Sequence, residues 1–255
     1  MALYPLGRVP HGAPGLYPEA LPAGRGPREV RTLDRALAQG KGSLEGRIRR
    51  AGRQRVAAEG RFRVKLYSFS PTPNNRKVEA FIKHFDLPVE IHSMGFREQE
   101  NRTEAYRRMN PMGKAPLLVD GDFCLWESNA ILCYLATLHP ETGMLPGDPG
   151  GRADCDRWLY WQAFHLINTV IAVRAKSKTA EKDVELNIGV LNGQLEGREF
   201  VLGDLSIVDF AIAPYLLGRH GQAIDYVPYP HVRAWMDRCN RLDGIVATVF
   251  RPKRK

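Results

Sequence analysis

The spacing of apolar positions changes several times along the chain, and each change marks an element. Val64-Lys65-Leu66-Tyr67 predicts a strand. A turn-rich loop from Ser68 to Asn75 follows. Val78, Phe81, Ile82 and Phe85 then fall at i, i+3, i+4 and i+7, one face of an amphipathic helix. Thr72 before Pro73 matches an N-cap with proline at the first helical position. Leu87-Pro88 ends that helix, Val89-Glu90-Ile91 predicts a second strand, and Glu100 to Met109 a short polar helix. Asn110-Pro111 and Gly113 are turn chemistry. Leu117 to Val119 and Phe123 to Trp126 read as two strands joined at Asp120-Gly121, a hairpin signal in which both turn residues tolerate positive φ. Ser128 is placed as the N-cap of an apolar helix from Ile131 to Leu138.

Beyond His139-Pro140 and the Gly/Pro-rich run Gly143 to Gly151, every apolar stripe is helical. Trp158, Trp161 and His165 share one face. Val184, Ile188, Leu191 and Leu195 form a second stripe, and Val232, Trp235, Met236 and Cys239 a third. Between them, Ser206 and Asp209 make a capping-box-like pair, with Leu205 and Phe210 placed as the hydrophobic staple. The helix it opens, Ile207 to Leu217, is apolar nearly all round and is expected at the core of a second domain, with a kink at Pro214. The predicted fold class is therefore an α/β thioredoxin-like N-terminal domain plus an all-α C-terminal domain. The expected boundaries are an extension over 1–62, an α/β domain over 63–138, a linker over 139–150 and a helical domain over 151–255.

Composition changes this picture mainly at the N-terminus. Residues 1–62 hold 12 lysines and arginines against 5 acids, whereas the remainder holds 25 against 23, so the folded part is nearly neutral. The overall charge of +9 thus gives no support for nucleic-acid binding by the main body. Gly, Ala, Arg and Pro dominate 1–62, which cannot bury a core and is expected to be disordered, or to reflect a start assigned too early in a GC-rich gene with Val64 as a GTG start. The segment lacks the apolar h-region of a secretory signal. No apolar run nears the ~18 residues of a membrane span. Cys124, Cys133, Cys155 and Cys239 show no metal-binding spacing, so no metal is expected, and reduced thiols in the cytoplasm are the default. Cys133 and Cys239 lie on apolar helical faces and are expected to be buried, leaving Cys155 as the exposed thiol. The final Arg-Pro-Lys-Arg-Lys reads as a solvated tail.

Two points suggest a ligand. A cis bond at Pro116, at the start of a strand, would turn the Ala115 N–H and C=O outward to pair with an extended peptide. Glu127-Ser128 sits at a helix N-terminus, where free N–H groups bind carboxylates, and Glu127 can meet an ammonium. Together they suit a small zwitterionic peptide. The plainer reading, a hairpin with good turn residues followed by a capped helix, accounts for the same residues.

From residue 63 to about 240 the chain resembles the soluble glutathione transferases. The likeness is carried by the Asn-Pro-x-Gly-Lys-x-Pro loop at 110–116, by Glu127-Ser128 and by Leu-Gly-Asp-x-Ser-Ile-x-Asp at 202–209. Thr72-Pro73-Asn74 and Trp158-Leu159-Tyr160-Trp161-Gln162 look most like the nu class and the nitrogen-regulator-like group; the short helical domain and an extra residue in the 68–72 loop depart from that pattern. The resemblance implies glutathione as co-substrate and no tightly bound cofactor. Ala115 and Pro116 would hold its cysteinyl unit, Glu127 and Ser128 its γ-glutamyl end, and Lys114 with Asn101 (or Gln99) its glycine end. Thr72 and Asn74 would activate the thiol, with Ser70 and then Tyr67 as substitutes, and Trp161, Phe164 and His165 would line an electrophile pocket. The implied activity is attack of the glutathione thiolate on a small electrophile or a disulfide, in a homodimer without membrane attachment. A non-catalytic binding module of the same fold is the alternative.

Overall fold

The computed structural model describes residues 64–69, 72–95, 99–219 and 221–248. The expectations for 1–62, for Ser70 and for the basic tail lie outside the described residues. Strands β1 (Val64–Ser68), β2 (Val89–Ser93), β3 (Leu117–Asp120) and β4 (Phe123–Trp126) form one mixed sheet in the order β2-β1-β3-β4. β1 runs parallel to β2 and antiparallel to β3, with Leu66 opposite Leu118. Helices α1 (Pro73–Phe85) and α3 (Ser128–Leu138) cover the face that presents Leu66 and Leu118. Helix α2 (Glu104–Met109) covers the other, where Tyr106 packs with Leu117 and Met94. The alternation of Leu117 and Leu118 between these two clusters follows from the two-residue period of a strand.

Two local details differ from the sequence reading. The hairpin loop is Gly121-Asp122, one residue later than expected, because Asp120 stays in the ladder opposite Phe123. Only Gly121 takes a positive φ, 60°, as a turn with glycine at its first central position demands. Ser128 is the first residue of α3 rather than its cap. Glu127 occupies the cap position at φ 74°, and the Ser128 hydroxyl is directed at Asn74 instead.

The rest is helical: α4 (Pro149–Trp161), a π-helical turn (Gln162–Leu166), α5 (Ile167–Arg174), α6 (Ala180–Gln194), α7 (Ile207–Leu216), α8 (Pro230–Cys239) and α9 (Asp243–Ala247). Every residue of α7 is buried, as its all-round apolar sequence requires. Helix α9 lies against α1 so closely that a Cβ on Gly244 would overlap the Ala80 carbonyl oxygen. Cys155 is fully buried in the core, contrary to expectation, whereas Cys133 is only partly covered. Burial pushes the Cys133 thiol up to about 11 and the Cys155 thiol up to about 12, so neither is a thiolate near neutral pH.

Asp209 fastens the start of α7. Its Oδ1 accepts from Val201 N (3.1 Å) and Trp235 Nε1 (2.8 Å), and its Oδ2 accepts from the N–H (2.9 Å) and hydroxyl (3.2 Å) of Ser206. Burial pushes this carboxyl up to about 6, against the pull of the four donors. Asn at this position keeps one acceptor oxygen and turns an NH2 towards donors. Asp209→Asn is therefore expected to lose about 3 kcal/mol in urea unfolding, and Ser206→Ala about 1 kcal/mol. Equal unfolding midpoints for Asp209→Asn and the parent would contradict this assignment.

Candidate functional site

The loop before β3 is shaped by its own side chains. Asn110 Oδ1 accepts from Met112 N (3.1 Å), an Asx turn, while its Nδ2 donates to the Lys114 carbonyl (2.6 Å). The Tyr106 hydroxyl donates to the same carbonyl (2.8 Å). Asn101 donates to the Gly113 carbonyl (2.6 Å), and Gly113 takes φ 60°. With Lys114 held twice, the chain enters β3 through a cis Ala115–Pro116 bond. The ladder registers begin at Leu117, so Ala115 lies beyond the paired edge. A groove of about 120 Å³ runs here, lined by Ala115, Pro116, Lys114, Asn74, Glu127 and Ser128 together with Asn110, Met112 and Trp126.

Across the groove stands the N-terminus of α1. Thr72 holds the cap position with Pro73 behind it, but its hydroxyl makes no capping bond. It accepts instead from Asn75 Nδ2. Asn75 is buried, and its Oδ1 is fixed by Phe69 N (3.0 Å) with the Ser68 hydroxyl at 3.1 Å. The Thr72 oxygen is thus engaged as an acceptor, and its own proton is free for a group in the exposed space beside it. Asn74 is arranged in the same sense. Its Oδ1 accepts from the hydroxyls of Tyr215 (2.6 Å) and Ser128 (3.2 Å), which leaves its NH2 without a partner among the described residues. Tyr215 comes from α7, so the helical part of the chain sets the orientation of a side chain on α1. Burial holds the Tyr215 phenol above its ordinary range, so it acts as a donor. Both donors lie where the dipole of α1 favours negative charge.

A second cavity of about 300 Å³ adjoins the groove and shares Asn74, Glu127 and Ser128 with it. Its far walls come from α3 (Asn129, Ala130, Cys133) and from the α4 to α5 stretch (Asp156, Leu159, Tyr160, Gln162, Ala163, Ile167). Lys77 of α1 also lines it. Lys77 is 1% exposed, and its ammonium donates to Asn129 Oδ1 (2.6 Å) and Gln162 Oε1 (3.0 Å). Burial pushes the amine down to about 7, with the Glu127 charge opposing that shift.

The structure brings Asn74, Ala115, Pro116, Lys114, Glu127 and Ser128 together around the groove, and Thr72 stands two residues before Asn74 at the cap of α1. The other expected residues lie elsewhere. Asn101 holds the loop through Gly113 rather than lining the groove. Tyr67 packs edge-on against His92 and Tyr106 on the opposite face of the sheet. Trp161, Phe164 and His165 do not line the cavity. Trp161 packs edge-on against Trp158, while Phe164 and His165 face solvent, because the π turn widens the helix from Gln162 and rotates them outward. The wall they were expected to form is made by Leu159, Tyr160, Gln162 and Ala163. Sequence reasoning missed Asn75, whose partners lie within seven residues, and Lys77, Gln162 and Tyr215, buried polar groups whose partners are remote in the chain. Among the described residues no group of three or more His, Cys, Asp or Glu could hold a metal ion, and no helix is long and apolar enough to cross a membrane.

Known protein families match both parts of the chain. Residues 62–137 match the model of the glutathione S-transferase N-terminal domain, and residues 162–243 that of the C-terminal domain. The chain is 25% identical to glutathione S-transferase GstB of Escherichia coli over 205 residues, 74% of this chain and 99% of that protein. It is 29% identical to the disulfide-bond oxidoreductase YfcG of Escherichia coli, over 69% of this chain and 89% of the relative. A glutathione transferase from Burkholderia graminis, solved with two glutathione molecules bound per subunit, superposes with a TM-score of 0.64 at 29% identity, covering 76% of this chain and 90% of the other. With both domain models matched in order and whole relatives covered, the chain belongs to the glutathione S-transferase family.

Proposed function

We propose that this protein binds glutathione in the groove beside Ala115 and Pro116 and activates its thiol for attack on a small electrophile or a disulfide. The observation that carries the reading is the pair of free donors at the start of α1. The Thr72 hydroxyl accepts from Asn75, and the Asn74 carbonyl is taken by Tyr215 and Ser128, so each side chain keeps a proton available for a ligand. Such a pair favours a thiolate over a thiol. A free thiol has a pKa near ~8.5, and each unit of depression corresponds to about 1.4 kcal/mol of preference for the anion. Two neutral donors and a helix dipole are sufficient for one or two units. In this reading Ala115 pairs with the cysteinyl main chain, Glu127 meets the γ-glutamyl amine, Ser128 and the first N–H groups of α3 take its carboxylate, and Lys114 lies towards the glycine end.

The relative named as a disulfide-bond oxidoreductase supports the disulfide branch, and Thr72-Pro73-Asn74 supports placement near the nu class. Because neither Thr72 nor Asn74 is a thiol, bound glutathione is itself the nucleophile in either branch. The four free cysteines suit a reducing compartment such as the cytoplasm. Tyr160, Phe164 and Ile171 leave large apolar surface exposed along the α4 to α5 stretch, which supports a homodimer. Light scattering is expected to return twice the chain mass, and a monomer at micromolar concentration would count against it.

The purified chain is expected to bind glutathione and to turn over an aryl halide or a mixed disulfide in a glutathione-dependent way. Binding without turnover favours the non-catalytic module instead. Thr72→Val keeps the side-chain shape and removes the donor. It is expected to lower kcat about tenfold to a hundredfold while glutathione affinity stays within about twofold. The alkaline-rising limb of its pH–rate profile should move up towards the pKa of the free thiol. An unchanged rate and limb would remove Thr72 from the mechanism.

A further inference from the structure

Asn74 can serve a sulfur anion only if its NH2, and not its carbonyl, faces the groove. The two hydroxyls beside it do not decide this alone, because a hydroxyl can donate or accept. The decision comes from a run of amides behind them. The Leu159 main-chain carbonyl can only accept, and Asn129 Nδ2 donates to it (2.8 Å), so Asn129 Oδ1 is turned to Lys77 Nζ (2.6 Å). Gln162 Oε1 then receives both Lys77 Nζ (3.0 Å) and Asn129 Nδ2 (3.0 Å). Charged or neutral, the lysine keeps an N–H for each of these two oxygens. With its oxygen so engaged, Gln162 presents Nε2 on the other side, where it makes no regular hydrogen bond and meets the Tyr215 phenol. Burial raises that phenol, and the Gln162 amide opposes the rise, as a donor to the phenol oxygen does. Tyr215 is buried, and Lys77 Nζ lies over its ring, 5.8 Å from the centre. The phenol proton therefore goes to Asn74 Oδ1 (2.6 Å). A flipped Asn74 would set two NH2 groups against one phenol oxygen and deprive the buried phenol proton of this acceptor.

We propose that Gln162 and Tyr215 are positioning residues that fix the direction of the hydrogen bonds reaching Asn74, so that its NH2 is presented to the glutathione sulfur. They act through Asn74 and not on the reacting atom. The inference rests on the glutathione reading above and adds what sets the sign of the Asn74 dipole. An asparagine beside a thiolate has two orientations, and the one with its carbonyl inward repels the anion. Here the run begins at a main-chain carbonyl, which accepts, and at a lysine, which donates, so its direction cannot reverse without breaking bonds at that end. Ser128, whose hydroxyl reaches the same Asn74 oxygen at 3.2 Å, follows this direction and does not set it. The run passes from the π turn to α7 and from there to α1, so the helical half of the chain decides the electrostatics of a group on the α/β half.

The test follows sulfur ionisation and needs no turnover. The pKa of glutathione bound to the full-length protein is read from thiolate absorbance, with S-methylglutathione as the blank. Asn74→Ala should raise that pKa. Tyr215→Phe should raise it too, weakening the ionisation about threefold to tenfold while the Kd for glutathione stays within about twofold. Gln162→Glu, whose carboxylate draws the phenol proton away from Asn74, should reproduce the shift, and it serves if the phenylalanine variant does not fold. In the Asn74→Ala background both substitutions should lose their effect. An unchanged bound pKa in folded Tyr215→Phe or Gln162→Glu, while Asn74→Ala raises it, overturns the proposal and leaves the glutathione reading standing. Equal shifts with and without Asn74 overturn it as well, since they report a change of packing or a charge acting through space. A parent protein that does not bind glutathione, or an Asn74→Ala protein with the parent's bound pKa, overturns the reading of Asn74 as a thiolate donor and this proposal with it.

Discussion

Helix α1 buries a polar face that its own residues, through Asn75–Thr72 and Glu79–Lys83, satisfy only in part. Asn75, Arg76, Lys77 and Glu79 are all withdrawn from water, and a buried polar group without a partner costs about 1–3 kcal/mol. The partners come from four places. Ser68 on β1 meets Asn75 and Glu79, and Arg76 Nε donates to the Thr248 carbonyl beyond α9. Asn129 on α3 and Gln162 in the π turn meet Lys77. Satisfying one helix thus ties the sheet, α3 and the helical part into a single arrangement, and two of the partners, Asn129 and Gln162, line the cavity beside the groove.

Site geometry follows from the same constraint. Thr72 and Asn74 flank the buried face, and each has its acceptor side occupied, Thr72 by Asn75 and Asn74 by Tyr215 and Ser128. A side chain with its oxygen engaged and its proton free is a directed donor, fixed before any ligand arrives, which is the condition for electrostatic stabilisation of a forming anion. The other half of the groove is prepared independently. Asn110 and Tyr106 grip the Lys114 carbonyl, so the chain reaches Ala115 with its main chain beyond the ladder. Rigid local chemistry on one side and domain-spanning contacts on the other meet at Ser128, which lines both cavities.

The elements that were legible in the sequence are those whose signals are local. The Val78, Phe81, Ile82 and Phe85 stripe, the turn at Asn110 to Gly113, the hairpin and the Ser206/Asp209 box each depend on residues a few positions apart. The errors share the opposite property. The polar side of α1 is buried by contacts with β1, α3, the π turn and Thr248, which the spacing within the helix does not announce. Ser128 looks like a cap until Asn74, 54 residues away, claims its hydroxyl. Trp161, Phe164 and His165 line a pocket in a regular helix, but the π turn shifts the phase between Trp161 and Ile167. Nothing in the spacing of Tyr215, Gln162 or Lys77 announces a site, since their roles arise from hydrogen bonds that span up to 141 residues.

The central claim is that neutral donors at the start of α1 hold a glutathione sulfur as its anion. A co-crystal of the full chain with glutathione tests it most directly. The account predicts the sulfur within hydrogen-bonding distance of both Thr72 Oγ1 and Asn74 Nδ2, with the cysteinyl main chain paired to Ala115. A bound tripeptide whose sulfur points away from α1, or an absence of density for glutathione at saturating concentration, would contradict it.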